Sequence, residues 1–231
     1  MAALTLAGTV AQAQWAPGEG RVQFAVLSYQ DWQPGFERIS VTKPAIAIEV
    51  GLTERWQLEA GWLVDTISGA SPAYHNVVQS AQQIEDTRRA GDARLTWWGD
   101  RTRVTAGFVR SREIDYSSDA VSLTAEFDGA DRNTTLAIGA SYTSDEIRPV
   151  NRPGFVGLKR VQEYLVGITR VITPTDIVQV NLTQFEGHGH FDDPYKLLDN
   201  RPDRRRQTTL LARWNHHVPS LGASVQTLAR V

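Results

Sequence analysis

From Arg21 onward, apolar and polar residues alternate one by one in segments of about ten residues, a period of two rather than 3.6. About ten residues is what a tilted β-strand needs to cross a bilayer. The alternation predicts strands over roughly 21–30, 39–50, 54–65, 91–99, 102–111, 118–128, 133–143, 159–171, 176–186 and 207–218, with an eleventh beginning near 222. Each segment splits into two faces. One carries Val22, Phe24 and Val26, then Trp56, Leu58, Ala60 and Trp62, then Val121, Leu123 and Phe127, then Tyr164, Val166 and Ile168. The other carries Gln57, Glu59, Asp65, Arg94, Thr96, Arg103, Thr124, Glu126, Ser141, Glu163, Asn181, Arg213 and Asn215. A soluble sandwich alternates in the same way, so the connections have to discriminate. Gly51 to Thr53, Gly99 to Arg101, Gly129 to Arg132, Thr173 to Thr175 and Pro219 to Leu221 read as tight turns. Between them lie Asp31 to Arg38, Thr66 to Ala90, Arg112 to Ser117, Ser144 to Leu158 and Gly187 to Arg206, several of them long and charged. Short turns at one end and longer loops at the other are the pattern of a membrane-spanning barrel. The expected fold is therefore all-β, an antiparallel up-and-down transmembrane β-barrel, with apolar residues toward lipid and polar residues toward a wet interior.

The aromatics agree with this placement. Trp15, Trp32, Trp56, Trp62, Trp97, Trp98, Tyr142 and Trp214 fall mostly near predicted strand ends, the level of a membrane interface. Pro44 interrupts the second segment and has no N–H to give a ladder, which predicts a bulge or local break there. No stretch approaches the roughly 18 consecutive apolar residues of a membrane-spanning helix. The 231 residues carry a formal net charge of −2, with basic and acidic residues interspersed, so no electrostatic footprint for nucleic acid is present. Cysteine is absent, which removes disulfides, thiolate metal sites and cysteine nucleophiles together.

Ala2 to Val10 is a short run of apolar and small residues, followed by Ala11-Gln12-Ala13, an A-x-A cleavage pattern. Residues 1–13 are expected to be the remainder of a signal peptide and residues 14–231 a partial barrel domain exported to the outer membrane of a Gram-negative bacterium. With ten to eleven strands and an end at Leu228-Ala229-Arg230-Val231, the barrel is expected to be incomplete, lacking C-terminal strands.

Three constellations could carry chemistry. His188, His190, Asp192 and Asp193 put two imidazoles and two carboxylates within a few residues, the donor types a divalent cation would use; no other cofactor is expected. Asp65, Ser68, Ser71 and His75 could be assembled into a hydrolase-like set, but no nucleophile elbow orders them, so nothing marks the chain as an enzyme. Glu85, Asp86, Arg88, Arg89 and Asp92 form one charged stretch, and Arg201, Asp203 and Arg204 lie in another. If both fold inward at the outer rim, carboxylates and guanidinium forks could pair across the lumen and constrict it.

Five ordered stretches resemble a known family: Ser68-Gly69-Ala70-Ser71-Pro72-Ala73-Tyr74-His75, Glu85 to Asp92, Pro149-Val150-Asn151-Arg152, Asp193 to Pro202, and Arg213-Trp214-Asn215-His216-His217. From Arg21 to the C-terminus the chain is similar to the proteobacterial proteins grouped as domain of unknown function 3570. That resemblance implies an exported barrel-like protein longer than this chain, and it implies no catalytic or binding residues. The expectation is a non-enzymatic outer-membrane barrel, a pore for small solutes or a sheath for an envelope protein, with membrane lipid as its surroundings. The alternatives are a barrel with a metal-dependent or hydrolytic loop site, and a soluble periplasmic β-sandwich.

Overall fold

The computed structural model describes residues 20–33, 36–70, 83–196 and 198–231, with the backbone alone for residues 33, 36–39, 67–70 and 83–86. Eleven strands follow one another: β1 (Arg21–Gln33), β2 (Phe36–Thr53), β3 (Trp56–Ala70), β4 (Gln83–Trp98), β5 (Thr102–Arg112), β6 (Tyr116–Asp128), β7 (Thr134–Ile147), β8 (Gly157–Thr173), β9 (Asp176–Gly189), β10 (Arg204–Val218) and β11 (Ala223–Arg230). They form one antiparallel sheet whose spatial order is the sequence order, an up-and-down meander. Among the described residues substantial contacts run only between strands adjacent in sequence, so none of them forms a second layer on either face. The soluble sandwich is thereby corrected: a sandwich buries its apolar face against another sheet, and this sheet has none.

The faces are inverted relative to a soluble protein. Among the described residues the least exposed polar side chains are Gln57, Thr96, Ser111, Ser118, Ser141, Asp145 and Gln179. The pairing registers put all of them on one side of the sheet, for example Thr96 opposite Gln57 and Thr105. Large apolar side chains stand on the opposite side in the open, with Phe24 78% and Leu123 55% exposed. In a single layer this asymmetry arises because the sheet coils about its polar face, crowding those side chains and splaying the apolar ones apart. Every apolar residue of the sequence pattern quoted above lies on the splayed face, and every polar one on the crowded face.

Local chemistry sets the short turns. The Thr53 hydroxyl accepts the N–H groups of Arg55 and Trp56 at 3.2 and 3.1 Å, and the Thr173 hydroxyl accepts that of Thr175 at 3.2 Å. Asp131 accepts from Asn133 N–H at 3.1 Å, beside Arg132 at φ 56°. Pro44 produces no bulge: pairing to β3 keeps one register from Thr42–Thr66 to Ala45–Leu63 and skips the residues between, a local break. On the splayed face near the short turns, Trp56 stands opposite Trp97, and Trp214 donates to Asp176 at 3.0 Å. Trp98 is a correction to the interface set, because it points to the polar face, donates to Gln57 at 3.2 Å and carries Arg103 over its ring.

The strands run further toward the long-loop end than the hydrophobic pattern indicates. β4 starts at Gln83, not near Gly91, and β10 at Arg204. At that end polar residues occupy both faces and no longer alternate with apolar ones, but the ladder of backbone hydrogen bonds continues regardless.

Candidate functional site

The polar face is laced by ion pairs between neighbouring strands. Lys43 meets Asp65 at 3.8 Å, and Arg94 meets Glu59 at 3.4 Å and Asp92 at 3.9 Å. Arg88 donates to Ser111 at 3.1 Å with Glu113 at 3.8 Å, and Arg103 bonds Glu126. Lys159 meets Asp145 at 2.7 Å, where the lysine is 18% and the aspartate 3% exposed, with the Tyr116 hydroxyl at 3.5 Å. Across β2–β8 most basic side chains of this face thus have a carboxylate partner. On β9–β11 the same face carries Arg205, Arg213 and Arg230 and no carboxylate, because its other positions hold amides and hydroxyls such as Gln179, Asn181, Thr183, Gln207, Thr209, Asn215 and Gln226, or uncharged residues such as Phe185 and Leu211. The Arg213 Nε is buried without a hydrogen-bond partner.

The connection between β9 and β10 folds inward. Gly187 lies on the polar face, opposite Val161 and Arg205. A Cβ added there would sit 2.6 Å from Phe191 Cζ, so the Phe191 ring covers that glycine from the lumen side. Arg205 lies 4.9 Å and Lys159 6.0 Å from the ring centroid, which places the ring between two cations of the polar face. The rest of the loop is built on itself and on its neighbours. Asp199 accepts the Asp193 N–H at 2.7 Å and pairs with Arg201 at 2.8 Å, and Arg201 N–H donates to Asp192 at 2.5 Å. Tyr195 donates to Asp115 in the β5–β6 connection and accepts from Val150 N–H at 3.2 Å, while Asn151 donates to the Pro194 carbonyl at 3.1 Å. The Asp199 carboxyl is held below the usual carboxylate range, first by the Asp193 N–H and then by the Arg201 guanidinium.

The four metal candidates do not converge. His188 is exposed on the splayed face opposite Arg204, and the His190 ring packs edge-on against Phe155 at 5.1 Å. Asp192 is occupied by Arg201 N–H, and Asp193 by Tyr195 N–H and Lys196. Among the described residues no group of three His, Asp or Glu is placed to hold a metal ion. Alternation along the strand sends His188 away from the loop that carries the carboxylates. Of the hydrolase-like set, Asp65 pairs with Lys43 on the polar face, the side chain of Ser68 is not among those described, and Ser71 and His75 lie outside the described residues.

Among the described side chains the two charged stretches are not joined to each other. Glu85 to Asp92 is part of β4 rather than a loop, and the side chains of Glu85 and Asp86 lie outside the described residues. Arg88 and Asp92 face the lumen, but Arg89 faces outward opposite Arg112, because neighbours on a strand point to opposite sides. Arg201 is tied to its own loop, Asp203 is exposed with its carbonyl accepting Gly189 N–H, and Arg204 points outward. Among the described residues no ion pair links the two stretches, and five strand spacings of roughly 4.8 Å each separate β4 from β9. Gly187 and Phe191, which do bring a loop over the lumen, escaped sequence reasoning because a Gly-His-Gly-His segment reads as loop rather than strand.

The profile of the family described as "Protein of unknown function (DUF3570)" matches residues 1–84 and 75–160. The chain belongs to this family. Of the five stretches quoted for the resemblance, the last two lie beyond the matched residues. No curated protein matches the chain. Among solved structures it is similar to a mutant of the ferric enterobactin receptor of Pseudomonas aeruginosa, with TM-score 0.55, 12% identity, and coverage of 94% of this chain and 40% of that one. It is also similar to the siderophore receptor PirA of the same organism, with TM-score 0.54, 11% identity, and coverage of 94% and 39%. OmpT, an outer membrane protein of Vibrio cholerae, matches with TM-score 0.49 at 12% identity over 90% of this chain and 60% of that one. The chain spans about 40% of the length of the two receptors. At this identity the likeness shows the fold: this member of the DUF3570 family has the fold of an outer-membrane β-barrel.

Proposed function

We propose that the protein is an exported, non-enzymatic barrel of the Gram-negative outer membrane that conducts small solutes. The observation that carries this reading is the polar face: a wall rich in charged and amide side chains, with no apolar layer packed on it among the described residues and the large exposed apolar side chains mostly on the other side. In lipid, such a face is stable when water fills the space it encloses. The β9–β10 loop, with Phe191 over the wall between Lys159 and Arg205, narrows that space at its long-loop end. Planar-bilayer recording on the full-length natural protein tests the reading. Steady single-channel steps are expected, larger in Phe191→Ala than in the wild type; a silent protein that is correctly folded in the same bilayers overturns it.

A further inference from the structure

At the long-loop end of β4 and β5 the outward face carries charge instead of apolar side chains. Arg89 on β4 and Arg112 on β5 are directly opposite each other, both exposed, and neither meets a carboxylate among the described residues. Like charges opposite one another on one face repel and destabilise a sheet unless an anion lies between them. Below them a groove of about 900 Å³ runs along the outer side of β4. Gly91 and Ala93 floor it, Trp62 and Phe108 wall it, and Ile114 closes its upper end. Three other charged residues line it. Arg110 is taken by Asp119 at 3.0 Å, Glu113 turns to Arg88, and Asp92 is on the lumen side with Arg94. Among the described residues that line the groove, Arg89 and Arg112 are thus the cations without a carboxylate. Arg112 lies four residues beyond Phe108, roughly 13 Å at about 3.3 Å per residue, which lifts it from the apolar band to the level of headgroups.

An apolar channel capped by two unpaired guanidinium groups fits an acyl chain ending in a phosphate, since guanidinium forks match phosphate oxygens. We propose that this groove holds one phosphate-bearing lipid of the leaflet on the long-loop side, its acyl chain between Trp62 and Phe108 and its phosphate bridging Arg89 and Arg112. The inference rests on the barrel fold and not on solute conduction, so it stands or falls separately from the pore.

Gly91 supplies a variant that tests the groove without disturbing the ladder. A Cβ there would meet Gly61 O at 3.5 Å and Trp62 Cδ1 at 3.7 Å, ordinary contacts, so Gly91→Val fills the floor with a strand-compatible side chain. The full-length protein in neutral detergent would be titrated with lipid A, and bound lipid counted by native mass spectrometry. One lipid is expected at the site, bound at least tenfold more weakly by Arg89→Gln with Arg112→Gln and by Gly91→Val. Lipid A should also raise the melting temperature of the wild type and not that of the double variant, which without lipid should be at least as stable as the wild type because the repulsion is gone. Equal lipid A affinity in the double variant overturns the proposal, as does equal binding of a diacylglycerol, which has acyl chains and no phosphate. Competition by inorganic phosphate at the same concentrations also overturns it, because the site would then recognise phosphate and not a lipid.

Discussion

Asp145 and Lys159 show what a single pair does on the lumen wall. Both are largely withdrawn from water, so each depends on the other for compensation of its charge. Lys159→Met should destabilise the protein by about 3–5 kcal/mol, since it leaves a buried carboxylate alone. Asp145→Leu added to it should recover most of that loss, as read from urea unfolding midpoints in lipid vesicles. Gly187 works by what it lacks. Gly187→Val puts side-chain atoms where the Phe191 ring lies, and the ring has to leave the wall. The variant should therefore conduct like Phe191→Ala; conductance equal to wild type would show that the ring does not narrow the lumen. Asp199 gives the loop a pH dependence of definite sign. Its folded pKa is depressed, so its contribution is fully present above the unfolded carboxyl value of about 3.9 and is lost as pH falls through the lower folded value. Limited proteolysis should find the 190–203 loop resistant at pH 7, more open in acid below about pH 4, and open at pH 7 in Asp199→Asn.

At the scale of strands, charge is distributed unevenly around the wall. The lumen-facing basic residues of β4, β5 and β8 are matched by nearby carboxylates, whereas β9–β11 present Arg205, Arg213 and Arg230 among uncharged side chains. Arg213 and Arg230 are diagonal neighbours, since Arg230 stands opposite Leu211, which puts them roughly 7–8 Å apart. A pore bounded by such a stripe should favour anions, as rings of basic residues do in anion pores. Reversal potentials in a salt gradient should show an anion preference that falls toward none in Arg213→Gln with Arg230→Gln and turns cationic in Arg213→Glu. Arg55→Gln, which removes the same charge from a short turn, should leave the preference unchanged. These faces were legible beforehand, because alternation assigns a side to each residue once a strand is recognised. The strand ends were not. Glu85 to Asp92 and Arg204 to Arg206 are polar on both sides, and a sequence pattern has no apolar partner against which to register them.

For the whole molecule, the sheet has one largely apolar face that no described residue covers, which suits it to lipid as the solvent of that face. The full-length protein should fractionate with outer membranes and need detergent for release, and its mature N-terminus should be Gln14; recovery in a detergent-free periplasmic extract would defeat the placement. The order of apolar and polar residues was sufficient to determine that the chain forms about eleven antiparallel strands, which side of each meets lipid, and where the tight turns lie. It could do so because a strand's two-residue period and a bilayer's thickness are both written in the spacing of side chains. Which residues meet across that sheet was decided by the tertiary structure alone. Register set Arg89 opposite Arg112, and the path of the β9–β10 loop tied Asp192 and Asp193 away from His188 and laid Phe191 on Gly187. Those outcomes depend on distances between segments far apart in the chain. Local periodicity fixes the side to which a residue points, but what it meets there is set by pairing and by the path of the loops.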